Sequence, residues 1–291
     1  MFFNLLINGL ALGAVYALIA LGLVVVFKGS GVINFAHGAL FTLAAFLGHS
    51  LLKLDLPYGV ALLGAALATL AVGVAIERIA YRPLIKNSNP VVFKAATIAC
   101  AFILIGLLRA LYGQQGDFLS YPPIVEAGTL MMGDFIIPVQ QLLLLVCASV
   151  ALLIFGGFFR FSRAGRIMQA VAEDPEASRI VGINVDRVFM LIWGAGAFLG
   201  GAAGVLLAPV TMIYPDMGLA ILIKAFAAAA LGGFDHLGGV VLGGLILGVL
   251  EICLGFYLGS QYQEIVGFAV ILLVLVARPQ GLFGSARVVR V

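Results

Sequence analysis

Long apolar runs, broken by short polar or glycine-bearing turns, follow one another along the whole chain. A helix that crosses a lipid bilayer needs about 20 mostly apolar residues. Nine runs approach or reach that length: 2–27, 32–52, 57–80, 92–112, 136–159, 188–209, 217–233, 238–258 and 262–277. The seventh and ninth are short, which suits either little tilt or a re-entrant course shielded by protein. The runs are continuous, not ten-residue alternations of apolar and polar positions, so a β-barrel is disfavoured. The pattern predicts an all-α, polytopic transmembrane bundle of about eight or nine spans, with 1–291 as one domain.

Composition sharpens this reading. Of 291 residues, 63% are hydrophobic and 10% charged, against roughly 45–50% and about 25% in soluble domains. Mean hydropathy is +1.19. Too few polar side chains remain to cover a water-facing surface, and disorder would need the opposite balance. Cys100, Cys147 and Cys253 each sit in an apolar stretch, with no metal or disulfide spacing, and read as small core side chains. The start, Met-Phe-Phe-Asn-Leu-Leu, has no basic region and no cleavage signature, so a first span is expected there and not a signal peptide.

Basic residues stay on the cytoplasmic side of a membrane. Arg82, Lys86 and Lys94 lie in 81–94, Arg160, Arg163, Arg166, Arg179 and Arg187 in 160–187, and Arg278, Arg287 and Arg290 in the tail. With Lys28 and Arg78, thirteen of the 16 basic residues are then cytoplasmic. Asp117, Glu126 and Asp134, with Asp55, Asp216 and Glu264, fall outside. Nine spans place the N-terminus outside and the C-terminus inside; one re-entrant segment changes the N-terminal side only. Tyrosines support the boundaries, because all but Tyr16 lie near span ends, where amphipathic rings are favoured.

Glycines recur at four-residue spacing: Gly9 and Gly13; Gly196, Gly200 and Gly204; Gly239 and Gly243; Gly244 and Gly248. Such stripes let helices approach closely, either within a bundle or at a sliding or subunit contact. Soluble catalytic motifs are missing. The five lysines are followed by Gly, Leu, Asn, Ala and Ala, so no P-loop is present and the chain is not expected to bind ATP that way. His37, His49 and His236 form no metalloprotease pattern, and no metal site or catalytic constellation is expected.

Polar groups inside the apolar runs stand out, since they are costly in lipid. Lys224 and Glu251 are two clear cases, and each lowers the other's cost if they pair across adjacent helices. They are either a structural pair or a coupling site. Between the first two spans, Lys28-Gly29-Ser30-Gly31-Val32-Ile33-Asn34-Phe35-Ala36-His37-Gly38 places Asn34 and His37 three apart, on one face if helical. They either stabilise a turn and helix start or line a polar path. Asn8, Tyr16, Asn34, His37 and Thr42 are the candidates for such a path. Phe234-Asp235-His236-Leu237-Gly238 is a weak echo of the same segment.

The longest charged stretch is 160–187, with five Arg and four acids. It reads as two short helical pieces, Arg166–Ala172 and Pro175–Val181. Asp174 is an expected N-cap, Pro175 a first helical residue and Gly182 a terminator.

Here the residues carry a resemblance. Glu176-Ala177-Ser178-x-x-x-Gly182 resembles the EAA-x-x-x-G signature of ABC-importer permeases. The string Ala170–Ala177 through Gly182-Ile183-Asn184 is similar to the branched-chain amino-acid permeases of the LivH/LivM type, on the LivH side. Asn8-Gly9-Leu10, Tyr16-Ala17-Leu18, Val32–Gly38, Leu231-Gly232-Gly233-Phe234 and Arg278-Pro279-Gln280-Gly281-Leu282-Phe283-Gly284 match as well. Ser178 departs from the signature's second Ala. The resemblance implies an importer permease without its own ATPase site, in a bacterial inner membrane. It implies a homologous second permease, two ATP-binding-cassette subunits that carry ATP and Mg, and a periplasmic binding protein that delivers branched-chain or related neutral amino acids. It places the coupling contact at Ala172, Glu173, Asp174, Pro175, Glu176, Ala177, Gly182 and Ile183. The alternative is a self-contained, ion-coupled transporter or channel for a small polar solute such as urea or an amide.

Overall fold

The computed structural model describes residues 2–84, 90–113, 118–125, 128–132 and 135–284. Lys86, Asp117, Glu126, Asp134, Arg287 and Arg290, used above to argue orientation, lie outside the described residues. Eleven α-helices are present among those described: α1 (Phe2–Ser30), α2 (His37–Leu52), α3 (Tyr58–Ile76), α4 (Pro90–Tyr112), α5 (Val139–Phe161), α6 (Arg163–Glu173), α7 (Pro175–Ile180), α8 (Val185–Leu207), α9 (Met217–Gly232), α10 (Leu237–Leu258) and α11 (Gln263–Ala277). Each of the nine apolar runs becomes a helix, and α6 and α7 are the two short pieces of the charged stretch. One feature departs from an all-helical chain. Within the connection between α4 and α5, β1 (Thr129–Met132) and β2 (Phe135–Pro138) pair antiparallel as a small hairpin.

Among the described residues, seven helices are long and apolar enough to cross a membrane, while α2 and α9 are shorter. The expectation of a short ninth run is corrected: a 3₁₀ turn ahead of α11 extends it to 18 residues, Ser260–Ala277. The second run is short instead. Gly31 at φ +69° ends α1, and residues 31–36 are not helical. Asn34 is therefore not on a helix face with His37, as expected above. Its side chain accepts from the Ala36 amide at 3.0 Å, an Asx turn that leads into α2.

That turn carries the chain back into the bundle. His37 donates from Nε2 to the Ile19 carbonyl, 3.1 Å away. Ile19 lies eleven residues before the end of α1, roughly 16 Å back along its axis. So α2 begins at depth, beside the middle of α1. The start of α9 meets it there, and Gly38 and Gly218 lie backbone to backbone.

The long helices around this crossing pack antiparallel. Gly22 on α1 abuts Gly196 on α8, where a Cβ on either would stand 2.7 Å from the other's carbonyl oxygen. Gly9 and Gly13 of α1 run against Val249 and Leu245 of α10. Gly200 and Gly204 of α8 receive His37 and the Phe41 backbone of α2. These glycine stripes are thus spent on packing within the chain, where small residues allow backbones to meet. The result is an exchange between two three-helix units. α2 and α3 lie on α8, while α9 and α10 lie on α1.

Candidate functional site

All the described basic connections gather at one end of the bundle. The C-terminal motif folds under α9, with Leu282 N–H donating to the Leu231 carbonyl at 2.8 Å and Phe283 N–H to Gly232 at 3.3 Å. Thus two separate matching motifs, 231–234 and 278–284, form one packed corner. At the same end Lys28 donates to the Asp235 carbonyl, and Arg82 donates to both Glu77 at 3.1 Å and the Asp186 carbonyl at 3.0 Å. Glu77 is buried in a π-turn (Glu77–Tyr81) that extends α3.

On this end sit α6 and α7. α6 is strongly two-faced. Met168 and Val171 are buried against the bundle, and Gln169 donates to the Phe159 carbonyl at 2.7 Å. Ser162 caps it by accepting from the Gly165 amide, so α6 starts three residues earlier than its predicted Arg166. Asp174 caps α7, its carboxylate accepting from the amides of Glu176 at 3.0 Å and Ala177 at 2.9 Å, with Pro175 at the first position. Gly182 follows at φ +85°, where glycine carries no Cβ penalty.

The consequence is an elbow capped at both ends and largely exposed. Ser178 is buried beneath it, so the Ser at the signature's second Ala position faces inward. Glu173, Asp174, Glu176, Ala177 and Gly182 are exposed, while Ala172, Pro175 and Ile183 are half-buried. Ile180 and Val181 are 87% and 75% exposed. Two large apolar side chains are thus held out to solvent among charges. The sequence reading missed this pair, although the apolar Ile-Val inside a charged loop was the signal.

A second cluster lies deep among α1, α9 and α10. Lys224 donates to Glu251 Oε1 at 2.5 Å, and Tyr16 donates to Glu251 Oε2 at 2.9 Å. The Lys224 ammonium also stands 5.6 Å from the centre of the Tyr16 ring. Tyr16 and Glu251 are 1% and 4% exposed. The expected pairing of the two charges is present, and Tyr16, expected only as a path residue, is its third member.

The other path candidates separate. Asn34, His37 and Thr42 are buried around the α2–α9 crossing; Thr42 donates to the Gly38 carbonyl at 3.2 Å. Asn8 is half-buried on α1, two turns before Tyr16. No group of three or more metal-ligating side chains occurs among the described residues. At the opposite end of the bundle, Arg109 pairs with Asp216 just before α9. Leu119 bridges to Ile213 there, which straps the α4–α5 connection across that end.

Comparison with known proteins follows the same lines. The family described as "Branched-chain amino acid transport system / permease component" matches residues 5–275. The high-affinity branched-chain amino acid transport system permease protein LivH of Escherichia coli K12 is 33% identical, covering 100% of this chain and 98% of the relative. The corresponding permease protein BraD of Pseudomonas aeruginosa is 33% identical over 98% of this chain and 97% of its own. The ribose import permease protein RbsC of Escherichia coli K12 is 33% identical over 38% of the chain and 37% of its own. A solved structure, PsaBC from Streptococcus pneumoniae in complex with Fab, is similar in fold: TM-score 0.52 at 16% identity, covering 95% and 92% of the two chains.

Proposed function

The chain belongs to the branched-chain amino acid transport permease family, and from that premise we propose that it is the gate subunit of an ATP-driven importer in a bacterial inner membrane. It passes branched-chain or related neutral amino acids that a periplasmic binding protein delivers to the Arg109–Asp216 end. It works beside a second, homologous permease. Two separate ATPase subunits hold ATP and Mg and drive it through α6 and α7, which lie with the C-terminus in the cytoplasm.

The observation that carries this reading is the exposed Ile180–Val181 tip on a doubly capped elbow. Isolated exposed apolar residues are ordinary, but a rigid apolar point that projects from the most basic end of a membrane bundle suits insertion into a partner. The family's transport role and the missing P-loop support the same division of labour. The deep Lys224–Glu251–Tyr16 cluster favours a structural clamp over ion coupling, since both charges are paired and nearly sealed. Burial of Asn34, His37 and Thr42 likewise favours packing roles, with Asn34 closing the turn into α2, His37 tying α2 to α1 and Thr42 lying where α2 meets α9, leaving Asn8 as the candidate that faces a partner or solute.

Ile180→Cys tests the docking contact. In inside-out vesicles, a membrane-impermeant maleimide is expected to label it rapidly in the permease alone and several-fold more slowly with the ATPase subunits present. Equal rates would overturn the contact. Labelling only in right-side-out vesicles would overturn the orientation.

A further inference from the structure

Between α6 and the bundle lies a cavity of about 290 Å³, which shares Ala172 and Glu173 with the coupling contact but is otherwise lined by residues outside it. That volume is at the lower end for small-molecule sites, about 300–1,000 Å³, and is too small for a nucleotide. Its wall is mostly apolar, with Val25 of α1, Ile192 of α8 and Met168 of α6, while Gln169 and His236, which also line it, are engaged by the Phe159 carbonyl and the Gly239 amide. Its rim carries both signs of charge: Lys28 at the end of α1, Asp235 between α9 and α10, and Glu173 at the end of α6.

None of the three rim charges belongs to an ion pair among the described residues. Lys28 spends one N–H on the Asp235 carbonyl, 3.0 Å away, and an ammonium has three to give. The remaining donors suit a carboxylate. The carboxylates of Asp235 and Glu173 suit an ammonium. The apolar wall behind them suits an aliphatic side chain. One cation, two acids and an apolar pocket of this size together match a small neutral amino acid, the class of solute argued above.

We propose that this cavity is a second, cytoplasmic binding site for a small aliphatic amino acid, through which accumulated product slows the importer. The proposal rests on the importer reading. The site's position supplies the regulatory effect. Lys28 and Asp235 belong to the bundle, whereas Glu173 belongs to the docking pair. An amino acid bound between them ties α6 to the bundle in this arrangement. A ligand that prefers one arrangement holds the protein there by the ratio of its two affinities. Cytoplasmic amino acid thus opposes the movement of α6 on which the ATPase stroke acts.

The test uses the assembled permease–ATPase complex in nanodiscs, without the binding protein, and radiolabelled L-leucine as probe. Saturable binding at millimolar leucine is expected, about tenfold or more weaker in Lys28→Gln and in Asp235→Asn. 4-Methylpentanoate, which lacks the ammonium, and 3-methylbutylamine, which lacks the carboxylate, are expected to compete at least about tenfold less well. Leucine is expected to slow ATP hydrolysis by the complex, and the two variants to keep their basal rate while losing that response. Absent binding, equal binding in both variants, or equal competition by the acid and the amine would overturn the site. Leucine uptake by vesicles with the binding protein tests the importer reading separately. Uptake without binding beneath α6 sinks the site alone; neither uptake nor binding sinks both.

Discussion

Glu251→Ala is expected to remove most of the folded protein, and the double variant Lys224→Met/Glu251→Leu to restore most of it, leaving only the uncharged Tyr16 hydroxyl without its acceptor. The single change leaves the Lys224 ammonium facing apolar surroundings and leaves the Tyr16 hydroxyl without its acceptor. Removing one partner of a buried ion pair costs about 3–5 kcal/mol, because a charge is stranded. An unpaired lysine at the centre of a membrane helix is priced similarly, at about 2.5–3.5 kcal/mol on insertion scales. Replacing both partners by apolar groups of similar volume is often neutral or favourable. Thermal unfolding in detergent and the yield of monodisperse protein read both effects. If the cluster is a clamp for α1, α9 and α10, the double variant also recovers transport. A double variant that folds fully but transports nothing would assign the charges to the transport step itself.

Ile180→Asp is expected to leave the permease folded and inserted but to cut solute-stimulated ATP hydrolysis more than tenfold. Ile180 is 87% exposed, so the isolated chain loses almost nothing by the change. In the proposed docked complex the side chain is covered. Burying an isoleucine is worth about 1.5–3 kcal/mol, and an unpaired carboxylate in its place adds a desolvation cost. Tenfold in an equilibrium is about 1.4 kcal/mol, so the expected loss of docking exceeds that factor. Gly182→Val acts on the same elbow by another route. At φ +85° a side chain with a branched Cβ is strained, by about 1–2 kcal/mol. Full stimulated hydrolysis in both variants would contradict docking through α7.

Much of this architecture was legible in the amino-acid pattern, since lipid leaves few choices. Long apolar runs must become helices there, and all nine did. Asp174, Pro175 and Gly182 announced the ends of α7 because capping chemistry is local. Lys224 and Glu251 announced their pairing because neither is tolerable alone in hydrocarbon. What stayed hidden depends on contacts between distant elements. Apolar length alone cannot show that 31–36 fold back along α1, because Val32, Ile33 and Phe35 are as hydrophobic as a span. Tyr16 was read singly as a path residue, since its acceptor lies 235 positions away. Glu77 was hidden among basic neighbours that counted toward orientation, whereas the folded chain uses Arg82 to bury it.

In the proposed importer this chain is a gate without a motor. Proteoliposomes measure it most directly, with leucine-loaded binding protein outside and leucine uptake followed over time. With both permeases and the ATPase subunits, uptake is expected only with ATP and Mg on the ATPase side, and it is expected to vanish when the ATPase is omitted. Sustained uptake by the purified single chain, driven by an ion gradient and needing neither ATP nor partner, would contradict the account.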